Sequence, residues 1–189
     1  MKRIAVFFPG IGYHCDKPLL YFSRALARDA GYQEIIALSY AVNMTDLRGN
    51  PDRMRAAGLA LLAQAEDALK NIDWQEYGDI LFISKSVGTG IAAAYAQKYN
   101  IICRNVFYTP VALTFGEHPR NGIAFTGTND PWVETDIVIS GCKQAGISLT
   151  IIQDGNHSLE TDNPIRNLDI LKSVMTETKR YIRRENVET

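Results

Sequence analysis

The stretch Ile80-Leu81-Phe82-Ile83-Ser84-Lys85-Ser86-Val87-Gly88-Thr89-Gly90 decides how this chain is read. An apolar run with the character of a buried strand enters a small-x-Ser-x-Gly turn. It continues into Ile91-Ala92-Ala93-Ala94-Tyr95, whose small residues suit a helix packed close to a sheet. A sharp strand-to-helix turn of this kind lifts a serine hydroxyl above the sheet, where a carbonyl carbon can reach it. Larger side chains at Ser84 or Gly88 would collide across the bend. Serine is also a favoured helix N-cap, so the motif by itself leaves an ordinary cap as an alternative for Ser86.

Two later polar residues bear on that alternative, because each follows a segment read as a strand. Gly122-Ile123-Ala124-Phe125-Thr126-Gly127 leads into Thr128-Asn129-Asp130-Pro131, and Ser148-Leu149-Thr150-Ile151-Ile152 leads into Gln153-Asp154-Gly155-Asn156-His157. Serine, aspartate and histidine in that order, each after a strand, form a set with complementary chemistry. A serine hydroxyl is too weak an acid to attack at neutral pH, so a neutral imidazole must take its proton; His157 suits that role. A carboxylate on the other ring nitrogen fixes the tautomer and stabilises the imidazolium, which Asp130 would do. Of the other histidines, His14 lies in the first strand-to-helix loop, and His118 sits in a polar connection read as surface. Glu117 and Asp154 stay open as alternative acids.

The chain opens with Ile4-Ala5-Val6-Phe7-Phe8, a continuous apolar run that breaks at Pro9-Gly10-Ile11-Gly12. A Pro-Gly pair is a common turn. Its place upstream of the serine turn favours a second use, the supply of a backbone amide to an oxyanion. The amides of Ile11 and Val87 are the expected donors. Gly12, Tyr13, His14 and Trp132 are near enough in sequence to line a pocket, as are Tyr108 and Val111. Lys85 is read as a solvated or salt-bridged residue.

These motifs resemble the α/β-hydrolase superfamily across essentially the whole chain, and most of all its small, lidless, single-domain members of the dienelactone hydrolase-like kind. The resemblance implies an α/β fold in minimal form, with about six mostly parallel strands, helices on both faces, and residues 1–189 as one domain. It implies hydrolysis of a carboxylic ester, thioester or related acyl bond of a small-molecule substrate through an acyl-enzyme at Ser86, with no cofactor and no metal. Ser84 stands where the family has glycine, Pro9 stands where it has histidine, and only Val111 to Asn121 occupies the region where many members insert a lid. A protein that keeps such a pocket for ligand binding or sensing is the competing expectation, since a fold does not fix a function.

Composition sets the remaining bounds. The 189 residues are 46% hydrophobic, enough for a single core. A net charge of −1 and the lack of basic runs interleaved with aromatics point away from nucleic acid and anionic membranes. Met1-Lys2-Arg3 and the apolar run after it are read as a strand and not a signal peptide. The unpaired spacing of Cys15, Cys103 and Cys142 suggests reduced thiols and a cytoplasmic setting. Asp16 is expected to cap a helix burying Leu19, Phe22 and Leu26. A second helix should run from Asn50-Pro51 to about Asn71 with Met54, Ala57, Leu61, Ala65 and Leu69 inward. The last should run from Asn163-Pro164 to about Arg184, burying Ile165, Leu168, Leu171, Val174 or Met175, and Ile182. Its basic end, Lys179 to Arg184, is read as solvated.

Overall fold

Alternation along the strands sorts the core into two layers. Ala5, Phe7, Leu81, Ile83, Val106, Tyr108, Ile123 and Phe125 point to one face of a sheet, where Leu19, Leu20 and Ala27 of one helix and Val174 and Ile182 of another cover them. Ile4, Val6, Phe8, Ile80 and Phe82 point to the other, against Leu61, Ala65, Leu69 and Ile91. Phe107 and Ala124 extend that second face beneath Val138 and Cys142. Both faces are buried, as a parallel sheet requires.

The computed structural model describes residues 1–41 and 50–184. The strands are β1 (Lys2–Phe8), β2 (Glu34–Ala37), β3 (Tyr77–Lys85), β4 (Arg104–Tyr108), β5 (Gly122–Gly127) and β6 (Ser148–Ile152); the helices are α1 (Pro18–Asp29), α2 (Pro51–Leu69), α3 (Val87–Lys98), α4 (Ala112–Gly116), α5 (Thr135–Ala145) and α6 (Pro164–Arg183). A single 3-10 turn, Trp74–Glu76, precedes β3. The strand order is β2-β1-β3-β4-β5-β6, and every pairing is parallel. The order reverses at β1. The loops after β1 and β3 therefore flank the crevice where open parallel sheets bind ligands.

Several helix details depart from the expectations. Asp16 does not cap α1; its carboxylate pairs with Arg24 at 2.8 Å, and Lys17 occupies the cap without a side-chain bond. Phe22 is 44% exposed, because Ser23 takes the inward position and its hydroxyl bonds the Leu19 carbonyl and the Tyr108 hydroxyl. A polar residue on the buried face disguises the periodicity. Asn50 caps α2 by accepting from the Arg53 amide, and Ala57, Leu61, Ala65 and Leu69 are buried as expected. The loop expected ahead of it lies, from 42 to 49, outside the described residues.

Asn163 caps α6 as its sequence suggests, accepting from the Ile165 and Arg166 amides. Ile165 and Leu168, however, are 70% and 62% exposed. The first turns of α6 are tied to loops by polar side chains, Arg166 to Asp154 and Asn167 to Thr161, so apolar packing begins only at Ile170. At its other end Arg184 reaches Asp79 at 3.2 Å and is not simply solvated. The segment Val111 to Asn121, read as a bare connection, holds α4. Among the described residues no helix is long and apolar enough to cross a membrane.

Candidate active site

Ser86 sits between β3 and α3 with φ 57° and ψ −130°. A β-carbon is strained in that region, at a cost of about 1–3 kcal/mol, and such a conformation persists only where its surroundings impose it. Here they do. The Ser86 amide donates to the Tyr108 carbonyl at 2.9 Å, while the Ser86 carbonyl accepts from the Thr89 amide and hydroxyl. Gly88 lets α3 approach the end of β1: a β-carbon there would lie 2.2 Å from the Phe8 carbonyl oxygen and 2.5 Å from that of Pro9. Gly88→Ala is therefore expected to lower unfolding stability by about 1–3 kcal/mol, read from denaturant midpoints; an unchanged midpoint would contradict the close packing of the serine turn against the end of β1. Ser84, in its glycine-like position, is fully buried and spends its hydroxyl on the Val106 carbonyl.

The structure brings the three residues singled out in the sequence into one hydrogen-bonded row. His157 Nε2 lies 2.7 Å from Ser86 Oγ, and His157 Nδ1 lies 2.7 Å from Asp130 Oδ2. The second Asp130 oxygen accepts the Trp132 amide at 2.8 Å. Asp130's side chain is wholly buried and that of His157 is 16% exposed. Burial holds the His157 pKa below the ordinary imidazole value; the hydrogen bond that Asp130 accepts from the ring opposes this, and the positive charge of Lys85 adds to it. The imidazole is thereby biased to the neutral form able to accept a proton.

The loops carrying Asp130 and His157 are laced together by groups that the sequence reading did not single out. The Thr128 amide donates to the Ile152 carbonyl, the Asn129 amide to the Gly155 carbonyl, and the Asp154 amide to Thr128 Oγ1. Asn156 closes the turn after it, its side-chain oxygen accepting the Ser158 and Glu160 amides. Gly127 permits the contact, because a β-carbon would lie 2.0 Å from the Gly155 carbonyl oxygen. An Asn just before a histidine and a Gly at a strand's end were the available signals.

Pro9 to Tyr13 forms a tight loop closed by reciprocal Gly10 and Tyr13 backbone bonds of 3.1 and 3.3 Å, with Gly12 at φ +74°. It presses on the serine turn: a β-carbon on Gly10 would lie 3.0 Å from Ser86 Cβ. Ile11 follows Gly10 in that loop, and Val87 opens α3 directly after Ser86. Gly12, His14 and Trp132 are exposed, and the Trp132 ring sits 5.8 Å from that of His157. Tyr13 is core, 9% exposed, with its hydroxyl accepting the Leu19 amide, and Tyr108 is fully buried. Lys85 is 1% exposed instead of solvated, because alternation turns it toward the layer under α1 and α6. The alternative acids are placed elsewhere: Asp154 pairs with Arg166 at 3.1 Å, and Glu117 ends α4.

A cavity of about 300 Å³ lies beside this loop, lined by Pro9, Gly10, Ile11, Gly12, His14 and Tyr40 among others. A larger cleft of about 760 Å³ opens near Asn105 and Asn121, at the amino ends of β4 and β5, and neither space is lined by Ser86, Asp130 or His157. Cys15, Cys103 and Cys142 are free and buried, and burial pushes the Cys15 thiol up to about 11. Cys15 is thereby held as an unreactive thiol.

No protein-family model and no curated protein sequence matches the chain. Solved structures do. An esterase of Pyrococcus furiosus superposes with a TM-score of 0.67 at 12% identity, covering 97% of this chain and 83% of its own. An alpha-beta serine hydrolase homologue from Coxiella burnetii gives 0.63 at 12% identity, covering 98% and 85%. Est1E from Butyrivibrio proteoclasticus, solved with ferulic acid bound, gives 0.67 at 13% identity, covering 95% and 88%. Identities this low speak for architecture, and with the six-stranded parallel sheet they establish that the chain has the α/β-hydrolase fold.

Proposed function

We propose that this protein is a serine hydrolase that cleaves a carboxylic ester, thioester or related acyl bond of a small substrate through an acyl-enzyme at Ser86. The observation that carries the reading is the unbroken hydrogen-bonded row Asp130–His157–Ser86 on a strained turn. An ordinary helix cap would need neither the strain nor the imidazole. That the similar folds include an esterase and a serine hydrolase homologue supports the same class.

In this mechanism Ser86 Oγ attacks the carbonyl carbon while His157 Nε2 takes its proton, and Asp130 holds Nδ1–H and stabilises the resulting imidazolium. The oxyanion of the tetrahedral intermediate faces the amides of Ile11 and Val87. His157 then returns the proton to the departing alkoxide or thiolate, leaving an acyl group on Ser86. Water then attacks that ester as the same nitrogen takes its proton, and the bond to Ser86 Oγ breaks as His157 returns the proton to it, releasing the acid. The short segment Val111–Asn121 favours short acyl or alcohol groups over long chains.

The pH dependence follows from His157. Its pKa is lowered, so the neutral form prevails at pH 7, and turnover is lost only as pH falls through that lowered value. Rates with short-chain p-nitrophenyl esters should rise from acid to a plateau whose midpoint lies below the usual imidazole value of about 6.5. A midpoint above that value, or a profile flat into strong acid, would speak against His157 as base. Tight retention of a ligand with no turnover of any ester, lactone or thioester would favour a binding protein.

A further inference from the structure

Lys85 directly precedes Ser86 at the end of β3, in one alternating row with Leu81 and Ile83. A leucine would complete that row. Instead an ammonium is buried there, and taking such a charge out of water costs several kcal/mol unless neighbours compensate. Its Nζ stands 4.9 Å from the centre of the Tyr13 ring, a cation–π contact with the loop that carries Ile11. The charges of Asp130 after β5 and Glu160 after β6 lie within electrostatic range of it, as does the His157 ring. Desolvation pushes the Lys85 pKa down to about 7, with both carboxylates opposing that shift.

We infer that Lys85 is a positioning residue: its buried ammonium, seated over the Tyr13 ring and directly before Ser86 in the chain, steadies the Pro9–Tyr13 loop and sets a positive charge beside the Asp130–His157–Ser86 row. On the acid side of neutrality Lys85 carries its charge, so protonating His157 adds a second cation beside the first. His157 therefore titrates at lower pH than Asp130 alone would allow. The catalytic consequence rests on the hydrolase reading above, whereas the coupling of Lys85 to His157 belongs to the resting protein.

Lys85→Met keeps the length and apolar stem and removes the charge. The chain has three histidines, so an NMR titration of histidine-labelled protein resolves them, with His157→Asn assigning the signal. In Lys85→Met the His157 midpoint should rise by about one unit. The acid limb of kcat/KM should move with it, raising the ratio of the rate at about pH 8.5 to that at about pH 6 roughly fivefold. Lys85→Arg, which keeps a charge, should hold the midpoint near that of the natural chain, and Lys85→Gln repeats the neutral test if the methionine variant does not fold. An unmoved His157 midpoint in a folded neutral variant, or an equal loss of activity at both pH values, overturns the inference. A moved midpoint in a protein that turns over no ester sustains the coupling and removes the hydrolase reading.

Discussion

Ser86→Ala is expected to reduce ester turnover by about a million-fold, leaving only what binding and the backbone donors supply. The size of the effect comes from the unit that Ser86 forms with His157: without Oγ, the imidazole 2.7 Å away has no nucleophile to deprotonate. The variant should fold normally, because the strained φ of 57° is imposed by the surrounding backbone bonds and the hydroxyl plays no part in them. Measured kcat together with an unchanged unfolding midpoint checks this. Retained turnover would place the nucleophile elsewhere.

Asp130→Asn should lower kcat by on the order of ten-thousandfold while leaving the shape of the site intact. An asparagine at this position can still accept the Trp132 amide through its oxygen, but it turns an N–H donor toward His157 Nδ1. The ring then carries its proton on Nε2, the nitrogen facing Ser86, and cannot accept another. Steady-state kinetics, with circular dichroism to show the fold, decide the matter. Normal turnover would exclude Asp130 as the acid and return the role to a carboxylate such as Asp154, whose pairing with Arg166 argues against it.

Much of this was written in local patterns. The continuous apolar runs Ile4–Phe8 and Ile80–Ile83 were enough to place strands covered on both faces, and the small residues around Ser86 marked the turn. The convergence of Asp130 and His157 followed from their places after parallel strands. What stayed hidden depended on long-range packing. Nothing next to Lys85 in sequence reveals that Tyr13, seventy-odd positions earlier, will cap it with a ring. Phe22 was expected on the buried face of α1, yet Ser23 takes that place and its hydroxyl bonds Tyr108 in the core. Ile165 and Leu168 fit the apolar stripe of a helix, but the polar ties at Arg166 and Asn167 hold those turns clear of the layer beneath. The lacing of the Asp130 and His157 loops runs largely through backbone amides, and only Gly127 and Asn156 hint at it in the sequence.

The most direct test is exposure of the natural chain to a fluorophosphonate, followed by mass spectrometry of its peptides. A hydroxyl activated by a neutral imidazole attacks phosphorus as it would a carbonyl, so one adduct per chain is expected, on Ser86, forming more slowly as acid protonates His157. Absence of an adduct, or an adduct on any other residue, would contradict nucleophilic catalysis at this site.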